Sequence, residues 1–273
     1  MSRSIVKPLQ YLVLTVIAIA LLYPIFFTVS TSFMTPKELN QYPTPLLPKS
    51  LYFGNFVDTI HAIPIIRYIL NSFFVASLVM IGQLIFCSMA AYAFAILRFP
   101  GKSLLFMLFL STMMIPWEVT IIPNYLLVRS WGWLDSYHGL TIPFMASAFG
   151  VFLLRQSFLQ LPAELFDAAK IDGCGVFQCF ARMTLPLSRP ILATLGIYSF
   201  LNAWNMYLWP LLITNTNTMR TVQIGISMLQ WEENQSWNLV LTGVTLALVP
   251  SILLLVVGLK QLVAGITAGA LKG

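Results

Sequence analysis

Six long apolar runs constrain the fold of this chain more than any other feature of its sequence. Five of them contain no Asp, Glu, Lys or Arg, and the other contains one acid, Glu118. A membrane-spanning helix needs about 20 largely apolar residues, and a charge at the bilayer centre costs roughly 2.5 to 3.5 kcal/mol. The runs therefore predict an all-α, polytopic membrane protein with six transmembrane helices, at Leu9 to Phe33, Tyr68 to Leu97, Leu104 to Leu127, Ser136 to Leu154, Ile191 to Ile213 and Trp237 to Leu259.

The composition supports the same interpretation. Of the 273 residues, 58% are hydrophobic and 9% are charged, which leaves too little polar surface to cover a water-soluble globule. The first run is too long for a signal peptide and no small-x-small cleavage site follows it, so we expect a retained helix. We predict one transmembrane domain over residues 1–273, with a loop at 160–186 and a tail at 260–273.

The basic residues between the runs predict the orientation in the membrane. One face, here called the basic face, carries ten of the 15 Lys and Arg residues: Arg3, Lys7, Arg98, Lys102, Arg155, Lys170, Arg182, Arg189, Lys260 and Lys272. The opposite face carries Lys37, Lys49, Arg67, Arg129 and Arg220. Because cytoplasmic loops are enriched in Lys and Arg, the basic face is predicted to be cytoplasmic, with both termini on that side. This bias explains the net charge of +6, and we expect no nucleic-acid partner.

The sequence lacks the residue patterns of an ATPase or a hydrolase. FPGKS at 99–103 resembles the end of a phosphate-binding loop, but Ile96 stands where that loop needs its first glycine. No HExxH or GxSxG pattern occurs, and the three cysteines lack metal-site spacing, so neither a disulfide nor a metal site is expected. The near absence of charges in the runs disfavours a self-sufficient secondary transporter. That class and an intramembrane enzyme stay open as alternatives.

Residues 160–186 form a polar segment between the fourth and fifth runs, on the basic face. Pro162 suits the first turn of a helix, and Glu164 favours its positive N-terminal end. Gly173 and Gly175 can end that helix and turn the chain. A second short helix is predicted by apolar side chains at helical spacing, namely Val176, Phe177, Phe180 and Met183. The segment is either a loop that re-enters the bilayer or a pair of helices that a partner protein binds.

The stretch DAAKIDGCGVFQCFARMTLPLSRP at 167–190 resembles the EAA loop of permease subunits of ATP-binding-cassette importers. In that pattern an acid precedes two alanines, a glycine follows four residues later, and Leu-Pro stands near the end. The matching residues are Asp167, Ala168, Ala169, Gly173, Leu185 and Pro186. Asp167 stands where the family usually has a glutamate.

The likeness extends over most of the chain, through LNSFFVAS at 70–77, AAYAFAILRFPGK at 90–102, LDSYHGLTIPFMAS at 134–147 and AGITAGALKG at 264–273. The chain is similar to the six-helix permease subunits of the maltose-type carbohydrate importer family. FLLRQSFLQLPAEL at 152–165 and NAWNMYLWPLLI at 202–213 look most like the family members that serve glycerol-3-phosphate and arabino-oligosaccharides.

The resemblance implies a set of partners in the cytoplasmic membrane of a prokaryotic cell. They are a second related permease, two ATPase subunits that bind ATP and Mg, and an external solute-binding protein. This chain would bind no cofactor itself. In its loop, Asp167 would pair with a basic ATPase residue, Gly173 would let the turn enter a cleft, and Phe177 with Phe180 would support the docked piece. The end of the tail, Ala264 to Gly273, would also reach the ATPase subunits.

The solute is expected to be a carbohydrate or a sugar or polyol phosphate, with another small polar solute as the alternative. Candidate contacts are Asn202, Asn205 and Tyr207 in the fifth run and Glu118 in the third. For the asparagines, a hydrogen bond that packs two helices together is an equally open interpretation. For Glu118, near the outer boundary, a structural role is the alternative.

Overall fold

The computed structural model describes residues 3–231 and 237–267. Within those residues the chain consists of helices and connecting turns, with no β-strand. The α-helices are α1 (Arg3–Ser32), α2 (Pro36–Leu39), α3 (Gly54–Ala62), α4 (Ile65–Ala95), α5 (Lys102–Ser111), α6 (Trp117–Ser130), α7 (Tyr137–Thr141), α8 (Ala148–Phe158), α9 (Ala163–Ile171), α10 (Val176–Cys179), α11 (Leu185–Leu187), α12 (Arg189–Trp204), α13 (Leu208–Ile213), α14 (Val222–Trp231) and α15 (Trp237–Thr267). Short 3₁₀ helices lie at Thr112–Met114 and Ile142–Phe144, and a π-helix lies at Phe180–Thr184. The predicted all-α class is confirmed.

The membrane spans are less regular than six unbroken runs. In the described part of the chain, three helices are long and apolar enough to cross a bilayer alone: Lys7–Ser32, Ile65–Ala95 and Trp237–Val256. Two bent helix pairs raise that number to five. The predicted fifth run is divided between α12, with 16 residues, and α13, with 6. At about 1.5 Å per residue, α12 is about 24 Å long, which is short of a hydrocarbon core of about 30 Å.

The third predicted run is broken at a proline. Lys102–Met114 and Trp117–Ser130 meet at 99°. Pro116 caps the start of α6 with a ψ of 136°, and Ile115 before it is also extended, as is usual for a residue that precedes proline. The break places Glu118 in the first turn of a separate helix.

The fourth predicted run bends by 42° between Tyr137–Phe144 and Ala148–Phe158. At the bend, Nε2 of Gln83 in α4 donates a hydrogen bond of 2.9 Å to the carbonyl of Phe144. Oγ of Ser199 in α12 donates to Oε1 of Gln83 at 2.7 Å. A carbonyl freed by a break at membrane depth needs such a partner. Gln83 therefore supplies the hydrogen-bond donor that the Phe144 carbonyl needs, and it connects the bend to α12.

Contacts divide the chain into two compact units, Met1–Arg67 with Ile224–Val249 and Tyr68–Gln223 with Pro250–Gly273. Both bends and the loop at 160–186 belong to the second unit. The prediction of one domain over residues 1–273 stays a prediction.

The first unit is held together by a buried asparagine. Nδ2 of Asn55 in α3 donates hydrogen bonds of 2.9 and 2.7 Å to the carbonyls of Ser32 and Met34, where α1 ends. Nδ2 of Asn238 in α15 donates to Oδ1 of Asn55 at 2.9 Å. One polar side chain thus joins three segments of this unit.

The second unit contains a continuous apolar core. Its buried members are Cys87, Ala91, Tyr92, Phe106, Val151, Leu154, Phe158, Phe166, Ala169, Cys179, Phe180 and Leu195. They come from α4, α5, α8 and α12 and from the loop at 160–186. The loop and the four helices therefore share one packed interior.

Candidate functional site

The loop at 160–186 begins with a helix that ends in a glycine turn. Pro162 caps α9, and Glu164 lies in its first turn. Beyond its end, Gly173 has φ +77° and donates to the carbonyl of Lys170 at 3.0 Å, while Cys174 N–H donates to that of Ala169 at 2.8 Å. This pair of bonds is a Schellman motif, which needs a residue in the left-handed region. The predicted helix, its start and its glycine end are therefore confirmed.

The two faces of α9 have different surroundings. Phe166 and Ala169 are buried in the apolar core of the second unit. Asp167 and Ala168 are exposed, and Asp167 forms an exposed ion pair of 3.4 Å with Lys170. Exposed ion pairs contribute about 1 kcal/mol or less, so the Asp167 carboxylate can exchange Lys170 for a basic residue of a partner.

The second helical piece of the loop carries two phenylalanines that belong to one apolar pattern in the sequence but have different surroundings in the structure. Phe180 is buried, and its ring lies 5.2 Å from that of Tyr92 in α4. Tyr92 also donates a hydrogen bond of 3.2 Å to the carbonyl of Val176. Phe177 is 72% exposed. Phe180 therefore anchors the loop to the membrane helices, and Phe177 is the ring that a partner can reach.

The most exposed large apolar side chains of the loop are Ile171, Val176 and Phe177, and we call them the loop tip. Ile171 is 86% exposed, directly before the glycine turn. The sequence analysis did not single out Ile171, although its position beside Gly173 is the available signal. A cluster of exposed apolar side chains bordered by charged residues is typical of a protein-binding surface.

The loop returns to the membrane through a π-helix. Thr184 Oγ1 donates to the carbonyl of Cys179 at 3.3 Å, five residues earlier, and both residues are buried. Leu185 is half-buried against the apolar core, and Pro186 is exposed. Single π turns inside helical segments are frequent at functional sites. Of the predicted coupling residues, Asp167, Ala168, Gly173, Phe177 and Pro186 are thus exposed, whereas Ala169 and Leu185 face the core.

The two cysteines of the loop lie close together. Cys179 Sγ is 3.7 Å from the carbonyl oxygen of Cys174. Burial raises the pKa of the Cys179 thiol, and the neighbouring Cys174 thiol adds to that increase. The Cys179 thiol is therefore protonated near neutral pH and packs as an apolar group. No group of three or more His, Cys, Asp or Glu in the described residues is arranged to hold a metal ion.

One face of α12 carries exposed polar side chains. Tyr198, Asn202 and Asn205 follow one another at spacings of four and three residues, which places them on one side of the helix. The asparagine Nδ2 groups donate 2.9 Å hydrogen bonds to carbonyls of their own helix, those of Tyr198 and Leu201. They therefore do not pack two helices together through these bonds, and their side chains stay accessible.

Sequence reasoning missed Tyr198, which is 43% exposed and packs its ring 4.7 Å from that of Phe149. Its position four residues before Asn202 is the signal that indicates it. Tyr207 lies after α12 and is 37% exposed. Glu118 is exposed on α6, and no hydrogen bond or ion pair in the described residues joins it to the α12 face. The structure thus brings together two of the four predicted solute contacts.

A turn on the opposite face is fixed by Asp135, a non-glycine residue with φ +50°. Its Oδ1 accepts hydrogen bonds from the N–H groups of Asn215 and Thr216 at 2.7 and 3.0 Å. Burial works against the ionised carboxylate, but those backbone donors outweigh it and hold the pKa of Asp135 below its usual value. The ionised Asp135 carboxylate therefore holds the turn at Asp135 against the turn that follows α13.

The predicted tail continues α15 through residues 260–267. Residues 268–273 lie outside the described part of the chain.

The chain is a helical protein with several apolar helices, one anchored loop and an exposed loop tip. The family described as "Binding-protein-dependent transport system inner membrane component" matches residues 83–267. Because this match covers more than half of the 273 residues, the chain belongs to that family. It is a permease component of the membrane, as the loop motif indicated.

Curated relatives match the chain over nearly its whole length. The sn-glycerol-3-phosphate transport system permease protein UgpE of Brucella melitensis is 36% identical over 97% of each chain. The proteins of that name from Agrobacterium fabrum and Yersinia pestis are each 35% identical, over 97% and 94% of both chains.

Solved structures of similar fold come from alginate transporters. A chain of a bacterial ABC transporter involved in the import of the acidic polysaccharide alginate has a TM-score of 0.85 and 25% identity, over 95% of this chain and 98% of that one. A chain from an alginate ABC transporter in complex with an alginate pentasaccharide-bound periplasmic protein has a TM-score of 0.63 and 16% identity, over 93% and 92%. The second likeness concerns the fold alone.

Proposed function

We propose that this chain forms one half of the translocation pathway of an ATP-driven importer in a prokaryotic cytoplasmic membrane. A second related permease forms the other half, two ATPase subunits bind ATP and Mg, and an extracytoplasmic binding protein delivers the solute. The basic face is cytoplasmic, with both termini on that side. The observation that carries the proposal is the loop tip, an exposed apolar surface on a loop that Phe166, Ala169 and Phe180 anchor in the core.

The mechanism follows from the two sides of the loop. The ATPase binds the exposed residues Asp167, Gly173 and Phe177, and its closure on ATP moves the loop. Phe166 and Phe180 transmit that movement to α4, α5, α8 and α12, since they pack in one core with those helices. The pathway then changes from one access state to the other, and hydrolysis reverses the change.

The solute is a polyhydroxylated compound, either a carbohydrate or a sugar or polyol phosphate. The relatives named for sn-glycerol-3-phosphate and the structural neighbour named for alginate support this class. Tyr198, Asn202 and Asn205 supply phenol and amide groups, which donate and accept the hydrogen bonds that hydroxyl groups need. This face of α12 is the part of the pathway that the chain contributes.

Co-purification tests the proposal. From native membranes in mild detergent, the tagged protein is expected to retain a second permease and an ATPase, identified by mass spectrometry. Phe177→Ser should lower ATPase recovery at least fivefold and leave recovery of the second permease unchanged, because Phe177 is exposed on the loop tip. Leu159→Ser, a 48% exposed position just before the loop, is the control and should behave as wild type. An intact protein that elutes alone would indicate a self-sufficient transporter instead.

Asn202→Ala tests the pathway assignment. We expect solute uptake at low concentration to fall about tenfold, which corresponds to the loss of one hydrogen bond of about 1.4 kcal/mol. Thermal stability should stay unchanged, because among the described residues the amide bonds to its own helix. Ser199→Ala on the buried face of α12 should have the converse effect, lower stability with solute affinity unchanged. Equal uptake by Asn202→Ala, Asn205→Ala and wild type would remove this face from the pathway.

A further inference from the structure

An apolar groove of about 760 Å³ lies within the second unit, between α4, α12 and α15. All of its lining residues are apolar or glycine. Leu70, Phe73 and Leu253 in its wall are each more than half exposed, so the groove opens to the surroundings of the chain. Its volume lies within the range of about 300 to 1,000 Å³ that small-molecule sites occupy.

The groove is long enough to hold a hydrocarbon chain. Along α4 its lining extends from Ile69 to Leu84, which is about 22 Å at 1.5 Å per residue. One leaflet of a bilayer has a hydrocarbon depth of about 15 Å. A water molecule needs two to four polar partners, and the lining residues offer no polar side chain. An acyl chain is therefore the occupant that fits the groove at membrane depth.

The end of the groove on the basic face carries a cation. Arg189 is the exposed first residue of α12, and it lies three and four residues before Leu192 and Ala193, which line the groove. Residues at these spacings share one side of a helix. The described residues contain no acidic side chain in an ion pair with Arg189. Its charge is therefore available to an anion at the end of the groove.

We propose that this groove binds a bilayer phospholipid with an anionic headgroup. One acyl chain lies along α4 and α12, and the phosphate accepts hydrogen bonds from Arg189. Anionic lipids are enriched in the leaflet that a basic face contacts, and basic positions between transmembrane helices bind their headgroups. A helix of a second permease would fill the apolar volume but would leave the charge of Arg189 unmatched.

Native mass spectrometry of the purified transporter tests the proposal. The delipidated protein is titrated with phosphatidylglycerol and with phosphatidylcholine of the same acyl chains. Wild type is expected to retain one phosphatidylglycerol at least fivefold better than phosphatidylcholine. Arg189→Gln should make the two lipids equal, because it removes the charge and keeps the groove. Ala193→Phe, which places a ring in the groove, should lower retention of both lipids about tenfold.

Matched variants separate lipid binding from general damage. Arg182→Gln changes another exposed basic residue, and Met107→Phe adds a ring at an exposed position on α5 outside the groove. Both should retain lipid as wild type, and every variant should melt within 2 °C of wild type in lipid-free detergent.

A phosphatidylglycerol with a photoreactive acyl chain should label α4, α12 or α15. Unchanged retention in Ala193→Phe, labelling confined to other helices, or crosslinks that place the second permease in the groove would overturn the proposal. None of these measurements requires ATP or solute.

Discussion

Gly173→Asp is expected to abolish solute uptake while the protein stays in the membrane at normal abundance. Gly173 has φ +77°, and a Cβ added there would meet no atom of this chain within 4 Å. Within the chain, the substitution therefore costs only the strain of a left-handed residue, about 1 to 2 kcal/mol. The larger effect is expected in the proposed joint with the ATPase, where the substitution would force a charged side chain into a packed and water-excluded surface.

The measurement is uptake of labelled solute, normalised to the amount of this protein in the membrane, together with solute-stimulated ATP hydrolysis. Gly101→Asp is the matched control, since Gly101 has φ +75°, equally open surroundings, and a position in another turn on the basic face. It carries the same strain and the same new charge, and we expect it to retain at least half of wild-type uptake. Equal uptake by Gly173→Asp and Gly101→Asp would show that the loop does not couple ATP hydrolysis to solute uptake.

The outline of the loop could be predicted because its signals are local. Pro162 and Glu164 set the start of α9, and Gly173 sets its end, through preferences of the backbone and the helix ends alone. The structure has a Schellman turn at the predicted glycine. The coupling role of these residues depends on partner proteins and stays a prediction.

The side chains that face the interior were harder to predict, because helical spacing identifies a face but not its neighbour. Phe177 and Phe180 satisfy one apolar pattern, yet only Phe180 reaches Tyr92 in α4. The π-helix at Phe180–Thr184 also shifts the register after Phe180, and no sequence preference indicates that shift. Long-range packing therefore decided which ring became the anchor and which stayed exposed.

The interrupted spans show a similar division between local and tertiary signals. Pro116 and Pro143 were visible in the third and fourth runs, but proline alone does not give the size of a bend. The bends of 99° and 42° require other helices that satisfy and pack against the broken backbone. At the smaller bend that helix is α4, through Gln83. At the larger bend it is α13, through Trp209.

Trp209 is completely buried and lies between two broken segments of the second unit. Its ring is 5.8 Å from that of Trp117, which begins α6, and 5.7 Å from that of Phe144, which ends the first half of the fourth run. Its indole N–H donates a hydrogen bond of 2.9 Å to the carbonyl of Gly139. This single side chain therefore fixes the direction in which α6, and with it Glu118, leaves the break.

Trp209→Ala is expected to lower the free energy of unfolding by about 3 to 5 kcal/mol, because it leaves a cavity beside the rings of Trp117 and Phe144. The carbonyl of Gly139 also loses its indole donor. For a chain of this size the melting temperature should fall by roughly 10 °C, measured by thermal unfolding in detergent. Uptake should fall as well, since α6 loses the support that orients its first turn.

Two variants divide this effect into its physical parts. Trp209→Phe keeps one ring in the cavity but removes the donor and part of the indole volume, so it should cost about 1 to 2 kcal/mol. Trp131→Ala removes a tryptophan that is 51% exposed, and it should change stability by about 0.5 kcal/mol or less. If Trp209→Ala melted as Trp131→Ala does, the break at Pro116 would have to be held by the backbone preferences of Ile115 and Pro116 alone. The predicted order, with Trp209→Ala far below Trp209→Phe and Trp131→Ala close to wild type, instead requires ring packing to supply most of the support.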